Sequence, residues 1–201
     1  FYQQYDSLFR KENIDFVKSL VKPSHGGEKR KYMYLHSFLV GTYIDKEISA
    51  IKDEMLTFSA KAVINLDGNK IPYRQLHNLI INESANDKRK KLYELGRPIR
   101  RVLSEYAEKI REKRESALKK LGYNNYLEVY SELKDINYIE EQEKFKEILS
   151  KTDSFYYELI RKRLASIWLP MWKAKPYDYA YSVRIKKFNK YFPNEEMVNI
   201  F

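Results

Sequence analysis

The stretch AVINLDGNKIPY, residues 62–73, is decisive for the fold because it is the one clear β signal in a chain of helical patterns. Asp67-Gly68 supplies the positive-φ positions that a tight hairpin turn needs, and short apolar runs flank it on both sides. Pro72 has no backbone N–H for a ladder, so the second strand should be short and at an edge. We therefore predict an all-α fold of long, antiparallel helices with one β-hairpin near residues 62–73.

Helical patterns precede this hairpin. Apolar residues recur at mostly helical spacing over residues 2–21, and Pro23 predicts the end of that helix. A second helix is predicted over about residues 28–44, and the pattern continues through residues 48–58 as a separate short helix. This part of the chain is therefore predicted to contain three amphipathic helices.

Helical patterns also follow the hairpin. Residues 86–121 are helical in pattern with a break at residues 96–98, Gly-Arg-Pro, and Gly122 is a good C-terminal cap. Three capping signals predict helix starts, because each places a cap residue three positions before an acidic one. They are Ser84 with Asp87, Asn125 with Glu128, and Asn137 with Glu140.

The last of these signals opens the longest predicted helix, which runs to Leu169 before Pro170 ends it. A short helix is predicted afterwards, over about residues 179–192. The apolar residues of the longest helix are predicted to face inward. They are Phe145, Ile148, Leu149, Phe155, Tyr156, Leu159, Ile160, Leu164, Ile167 and Trp168.

Composition excludes several classes of protein. The chain has no cysteine, so disulfide staples and thiolate metal sites are absent. No apolar run approaches the roughly 20 residues that a membrane-spanning helix needs, and the N-terminus lacks a signal-peptide pattern. We therefore expect a cytoplasmic protein without a membrane partner.

Catalytic motifs are missing from the sequence. The three histidines, His25, His36 and His77, are far apart, and none has a second ligand at helical spacing. His36 is expected to be a satisfied, half-buried residue of a helix. There is no phosphate-binding glycine loop, no Gly-x-Ser-x-Gly elbow and no cysteine nucleophile. We therefore predict no catalytic residue, no metal ligand and no cofactor within these 201 residues.

The chain is basic, with a formal net charge of +10. Such a surface can bind phosphates or acidic partners in a salt-dependent way, although no nucleic-acid-binding motif is present and most basic residues are interleaved with Glu. Nucleic acid is therefore a disfavoured partner, and an acidic partner stays open. The basic clusters lie at residues 29–31, 88–91, 97–101, 161–163 and 184–190.

Several motifs together resemble one family. The hairpin sequence NLDGNKIPY, residues 65–73, resembles the hairpin of oligoendopeptidase-like zinc metallopeptidases, the group of oligoendopeptidase F and thimet oligopeptidase. As in that group, an Asn/Asp- and Arg-rich helix follows over residues 82–94. Later motifs appear in the same order over most of residues 30–201. They are LGYNNY at residues 121–126, YDYAY at 177–181 and KFNKYFP at 187–193.

The resemblance implies a non-catalytic helical lobe that lines a narrow channel in which short peptides are cleaved. In that family a His-Glu-x-x-His helix and a later Glu hold the zinc, and both lie beyond the region matched here. The resemblance therefore implies that zinc and its catalytic lobe belong to a missing half, and that this stretch is inactive alone. Candidate substrate contacts are Tyr177, Asp178 and Tyr181, for which capping and packing is the competing interpretation.

The chain is expected to be one lobe over residues 1–201, with a possible subdivision into 1–83 and 84–201. It lacks an initiator Met and ends shortly after Asn194, a plausible start of a further helix, so we expect a fragment of a longer protein. Two alternatives remain open: a non-enzymatic basic adaptor for nucleic acid or an acidic protein, and a degenerate homologue that kept the lobe as a scaffold. An adaptor should concentrate its basic residues on one face, whereas a lobe should expose an apolar docking patch.

Overall fold

The computed structural model describes residues 5–184, which form eight α-helices and one two-stranded antiparallel hairpin. This confirms the predicted all-α fold with a single short hairpin. A 3₁₀ turn at Asp6–Phe9 comes first. The α-helices and strands are α1 (Lys11–Val21), α2 (Gly26–Lys61), β1 (Val63–Leu66), β2 (Asn69–Pro72), α3 (Leu76–Asn82), α4 (Asn86–Leu95), α5 (Arg97–Lys120), α6 (Tyr126–Lys134), α7 (Tyr138–Ala165) and α8 (Pro176–Ser182), and two further 3₁₀ turns lie at Tyr73–Gln75 and Met171–Lys173.

The hairpin forms as its sequence predicts. Asp67 and Gly68 have φ values of 52° and 89°, so both turn residues are left-handed, as a two-residue hairpin turn requires. Val63 pairs with Pro72 at the open end of the ladder, where a missing N–H costs least. The chain thus reverses direction within two residues between α2 and α3.

Helix α2 is longer than the sequence predicts. It runs without interruption for 36 residues, so the separate short helix expected over residues 48–58 is wrong. His36, Val40, Ile44 and Ile48 lie four residues apart and are all buried. This row keeps one face of α2 on the core through the position of the expected break, and no proline interrupts the segment.

Three other predicted helix limits are corrected. The helix expected over residues 2–21 begins only at Lys11, after the 3₁₀ turn, and residues 1–4 lie outside the described part. The predicted Ser84 cap is wrong, because α4 has Ala85 at its N-cap and no side-chain cap. The predicted short helix over residues 179–192 is the seven-residue α8, and residues 185–192 lie outside the described part.

The break at residues 96–98 and the glycine cap are confirmed. Helix α4 ends at Leu95 and α5 begins at Arg97. Gly122 has a φ of 88°, and the N–H of Tyr123 bonds to the carbonyl of Leu118 at 3.0 Å, which is a Schellman C-cap. Gly122 therefore ends α5 and turns Tyr123 towards the core.

The capping signals before α6 and α7 are also confirmed. Asn125 Oδ1 accepts a bond from the N–H of Glu128 at 2.9 Å, and the Glu128 carboxylate accepts one from the N–H of Asn124 at 2.8 Å. Asn137 Oδ1 accepts from the N–H of Ile139 at 3.2 Å at the start of α7. Local side-chain chemistry thus sets these two starts.

Helix α7 differs most from expectation. It ends at Ala165 instead of Leu169, because Trp168 adopts a left-handed conformation with φ 57°. Only Ile160 and Leu164 of the ten apolar residues predicted to face inward are buried, and Ile167 is intermediate. The other seven are exposed: Phe145, Ile148, Leu149, Phe155, Tyr156, Leu159 and Trp168.

The chain divides into two compact units, each with its own core. Unit 1 contains residues 1–61 and 100–148, and unit 2 contains residues 62–99 and 149–201. The boundaries differ from the subdivision at residues 83 and 84 and fall near the hairpin and within α5 and α7. The unit 1 core includes Phe9, Ile14, Val17, Leu39, Val40, Ile44, Ile48, Ile110, Ala117, Leu118, Leu121, Tyr123, Val129 and Leu133, and the unit 2 core includes Ile64, Leu76, Ile80, Leu92 and Tyr177.

Candidate functional site

The three predicted substrate contacts lie on α8, within unit 2. Tyr177 and Tyr181 expose 8% of their surface each, and Asp178 exposes none. Helix α8 begins with Pro176 at its first position, where the missing N–H is not needed. The α8 sequence therefore places all three candidate side chains in the interior of unit 2.

Asp178 is the most fully satisfied polar side chain of this group. Its Oδ1 accepts bonds from Arg89 Nη2 at 2.8 Å, Arg89 Nε at 3.1 Å and Asn86 Nδ2 at 2.7 Å. Its Oδ2 accepts from the N–H of Lys175 at 3.1 Å, at the start of α8. A buried carboxylate with four donors is neutralised and held rigidly in place.

The guanidinium of Arg89 is equally occupied. Its Nη1 donates to the carbonyl oxygens of Glu83 at 3.0 Å and Ser84 at 2.8 Å. The guanidinium also lies 4.3 Å from the centre of the Tyr181 ring, in a cation–π contact. Arg89 therefore fastens the loop before α4, the helix α4 itself and helix α8 together.

Tyr177 packs by its ring. Its centroid lies 5.3 Å from that of Tyr93 on α4. Burial and the negative charge of Asp178 raise the pKa of Tyr177, so its phenol stays protonated near neutral pH. The tyrosine is thus an aromatic core residue with a protonated phenol.

Together these residues form what we call the Arg89 cluster: Asn86, Arg89, Asp178 and Tyr181. Asp178 caps the start of α8 through its bond to Lys175, and direct substrate contact by Tyr177, Asp178 or Tyr181 stays a prediction. The sequence did not single out Arg89, which stands in the run Lys88 to Lys91 that is typical of a solvated face. No local signal distinguishes it from its neighbours, because its partner is 89 positions away.

A second candidate surface lies on α7. The exposed large apolar side chains of its unit 2 segment include four that are exposed by 57% at Leu149, 71% at Phe155, 56% at Tyr156 and 42% at Leu159. Their spacing of three, four and seven residues places them on one side of the helix. We call these four residues the α7 face.

The α7 face has relief as well as apolar character. Leu149, Phe155, Tyr156 and Leu159 line a shallow depression of about 380 Å³, together with Thr152 and Asp153. Contiguous exposed apolar surface of this kind is uncommon on a surface that stays in water, and it is typical of interaction sites. The face can therefore bury apolar groups of another chain segment.

About half of the described cations in the basic clusters of unit 2 are paired with acidic residues. Arg89 forms an ion pair with Asp178, as described above. Neighbouring clusters carry short ion pairs that offset their positive charge locally. These pairs are Lys91–Asp67 at 2.6 Å, Arg97–Glu94 at 2.9 Å and Lys162–Glu158 at 2.6 Å.

The described residues contain neither a cluster of metal ligands nor a membrane-spanning helix. Across residues 5–184, His, Asp and Glu side chains nowhere gather in a group of three able to hold a metal ion. In the same part of the chain, each helix is too short or too polar to cross a membrane.

No protein-family model, curated protein or solved structure matches this chain. The resemblance to oligoendopeptidase-like metallopeptidases therefore rests on the order of its sequence motifs. The structure relates two of these motifs to geometry: residues 121–126 form the cap between α5 and α6, and residues 177–181 form most of α8.

Proposed function

We propose that this chain is the non-catalytic helical lobe of a zinc-dependent oligopeptidase, and that its α7 face packs against the catalytic lobe of the same protein. The zinc and the reacting groups belong to that catalytic lobe. The helical lobe then lines the channel and restricts it to short, unstructured peptides. By itself the chain is inactive in this proposal.

The observation that carries the proposal is the exposed α7 face. A lobe that completes a larger enzyme is expected to present an apolar surface to its other half, and Leu149, Phe155, Tyr156 and Leu159 present one. The same helix buries Ile160 and Leu164, so the exposed segment continues an ordinary core-forming pattern. A peptide side chain alone would cover only part of such a surface, whereas a second lobe can cover all of it.

Local pairing offsets part of the positive charge of unit 2, which argues against a basic adaptor. An adaptor for nucleic acid needs unpaired cations on one face. In unit 2 the cations at Arg89, Lys91 and Arg97 have carboxylate partners within 2.9 Å. Most of cluster 184–190 lies outside the described residues.

The first test measures cleavage of quenched fluorescent peptides by the full-length protein that contains these residues. Cleavage that stops when a chelator removes zinc, with no cleavage by the 201-residue chain alone, is the expected result. A full-length protein that binds no zinc and cleaves no peptide would overturn the proposal. The basic surface would then become the leading candidate.

A pair of matched variants tests the α7 face. Leu149→Asp in the full-length protein should lower peptidase activity by about tenfold, because burying a leucine contributes about 1.5–3 kcal/mol. Leu56→Asp is the control, since Leu56 on α2 is 56% exposed and Leu149 is 57% exposed. Equal activity of the two variants would show that the α7 face has no role in assembling the enzyme.

A further inference from the structure

Unit 1 contains a cavity that the proposed function does not use. It has a volume of about 480 Å³, within the range of about 300–1,000 Å³ that is typical of small-molecule pockets. Three segments line it: the end of α1, the first turns of α2 and the end of α6. Its polar lining residues are Lys18, Lys22, Lys29, His36, Glu132 and Asp135. We call it the His36 cavity.

His36 is the unusual residue of this cavity. It exposes 4% of its surface, and its Nε2 atom is buried without a hydrogen-bond partner in the described part of the chain. A buried polar atom without a partner is costly, and most buried polar atoms in proteins have one. The prediction that His36 is fully hydrogen-bonded is therefore wrong, and its Nε2 atom can still form a hydrogen bond.

One side of the cavity is already closed by internal contacts. Lys18 Nζ lies 2.8 Å from Glu132 Oε1 and donates to Tyr123 Oη at 3.2 Å. The Tyr123 hydroxyl in turn donates to Glu132 Oε1 at 3.2 Å. We call Lys18, Tyr123 and Glu132 the Lys18 cluster. The positive charge of Lys18 and the negative charge of Glu132 offset each other. The net charge of the cavity therefore depends on its other charged lining residues, Lys22, Lys29 and Asp135.

The remaining charges favour an anion. Within residues 5–184, Lys22 and Lys29 make no ion pair or hydrogen bond through their ammonium groups, and Asp135 has no cationic partner. Two unpaired cations against one unpaired carboxylate leave an excess positive charge beside His36. An anion would gain from both ammonium groups. Because Nε2 is itself buried, a ligand oxygen reaches it when a flexible lining side chain such as Met33 moves aside.

We propose that the His36 cavity binds a small molecule through a carboxylate or phosphate group, with Lys22 and Lys29 neutralising the oxyanion and His36 Nε2–H donating to it. This site is independent of the α7 face and of any peptidase activity. The cavity volume limits the ligand to a small metabolite-sized molecule. Asp135 disfavours ligands with a second anionic group at its end of the cavity.

The protonation state of His36 is consistent with this role. Burial lowers the pKa of His36, and the charge of Lys18 lowers it further, whereas Glu132 and Asp15 act in the opposite direction. The imidazole is therefore neutral near pH 7 and carries one N–H. A bound oxyanion should raise the pKa of His36, since it stabilises the imidazolium.

Histidine NMR on the full chain provides the test, with inorganic phosphate and the monocarboxylate butyrate as the two probes. His25 and His77 are exposed, so His25→Gln and His77→Gln assign the His36 signal without disturbing the core. The expected result is a saturable shift of the His36 ring signal, with a raised pKa, for at least one probe. Phosphate alone would identify a phosphate site, and butyrate alone a carboxylate site.

Charge variants decide whether the site is specific. Lys22→Gln and Lys29→Gln should each weaken probe binding about tenfold, the effect of losing one charge-assisted contact. Lys119→Gln, at an exposed position near the end of α5, is the matched control and should leave binding unchanged. A parallel, non-saturating shift of all three histidines would overturn the proposal. Unchanged binding in both Lys22→Gln and Lys29→Gln would overturn it as well.

Discussion

Each unit holds one cation–carboxylate pair beside a tyrosine ring, and the two pairs differ in their access to water. In the Arg89 cluster of unit 2, the side chains of Arg89 and Asp178 expose 3% and 1%. In the Lys18 cluster of unit 1, Lys18 and Glu132 expose 40% each. Lys18 lies 4.6 Å from the Tyr123 ring centre, much as Arg89 lies 4.3 Å from that of Tyr181.

The two clusters have similar contact geometry, so they show the effect of solvent access by itself. Similar contacts contribute differently to the stability of the fold. Water screens the charges of the exposed pair, whereas the buried pair must compensate for its lost hydration. Arginine suits the buried position, since its planar group satisfies several acceptors at once, whereas a lysine suits a position that water still reaches. The buried cluster should therefore be essential for folding, whereas substitutions in the exposed cluster should change stability only slightly.

The largest expected effect is at the buried pair. Arg89→Met leaves the Asp178 carboxylate buried without its cation, so the free energy of unfolding should fall by about 3–5 kcal/mol. Urea denaturation measures this loss. Lys91→Met is the control, because its pair with Asp67 is largely exposed and should contribute at most about 1 kcal/mol. Equal losses in the two variants would contradict the distinction between buried and exposed pairs.

The next effect concerns the turn that delivers Tyr123 to the Lys18 cluster. Gly122→Ala places a side chain at φ 88°, which should cost about 1–2 kcal/mol of stability. No atom lies within 4 Å of the added Cβ, so the cost is conformational and not steric. Gly41→Ala, within α2, is the control and should stabilise the chain by about 0.5–1 kcal/mol in thermal or urea unfolding. A loss of stability in Gly41→Ala, or none in Gly122→Ala, would contradict this account.

A smaller effect is expected at the exposed pair. Lys18→Met should lower the free energy of unfolding by about 0.2–1 kcal/mol, and the difference from wild type should shrink as salt is added. Burial opposes the charged form of Lys18, yet hydrogen bonds to Glu132 and Tyr123 outweigh it and raise the pKa of Lys18. A loss comparable to that of Arg89→Met would show that the partly exposed cluster is as essential as the buried one.

The smallest effect is the pH dependence contributed by His36. Because its pKa is lowered in the folded chain, the unfolded chain binds the proton more readily as pH falls below about 6.5. The free energy of unfolding should therefore decrease from that pH down through the folded pKa. Urea unfolding at several pH values measures it, with His77→Gln as a control that retains the slope. If the free energy of unfolding of His36→Gln depends on pH as that of the wild type does, other groups cause the pH dependence.

Local chemistry accounts for the parts of the fold that were predictable. Asp67-Gly68 specifies its turn, and Asn125 and Gly122 specify helix ends, because each acts through neighbours within a few residues. By contrast, the break expected in α2 was wrong. Helix α2 continues because the core of unit 1 covers Ile44 and Ile48. The residues that cover them come from elements distant in sequence.

The candidate sites were less predictable for the same reason. The pattern of α7 identified an apolar side of the helix, but periodicity does not specify whether anything covers it. Arg89 and Lys88 look equivalent in the sequence, and only the arrival of Asp178 from α8 separates them. The unused Nε2 of His36 likewise depends on which groups surround α2.

The sequence alone thus determined the helical class, the hairpin and its two-residue turn, and most helix ends, since backbone dihedrals and caps are short-range effects. Tertiary structure alone decided which side chains lose contact with water. Tertiary packing buries the pair of Arg89 and Asp178 and leaves the pair of Lys18 and Glu132 partly hydrated. Within the described residues it also leaves His36 Nε2 without a hydrogen-bond partner, and Leu149 and Phe155 exposed. Solvent access depends on residues far apart in the chain, and it sets the energetic weight of every polar or apolar group.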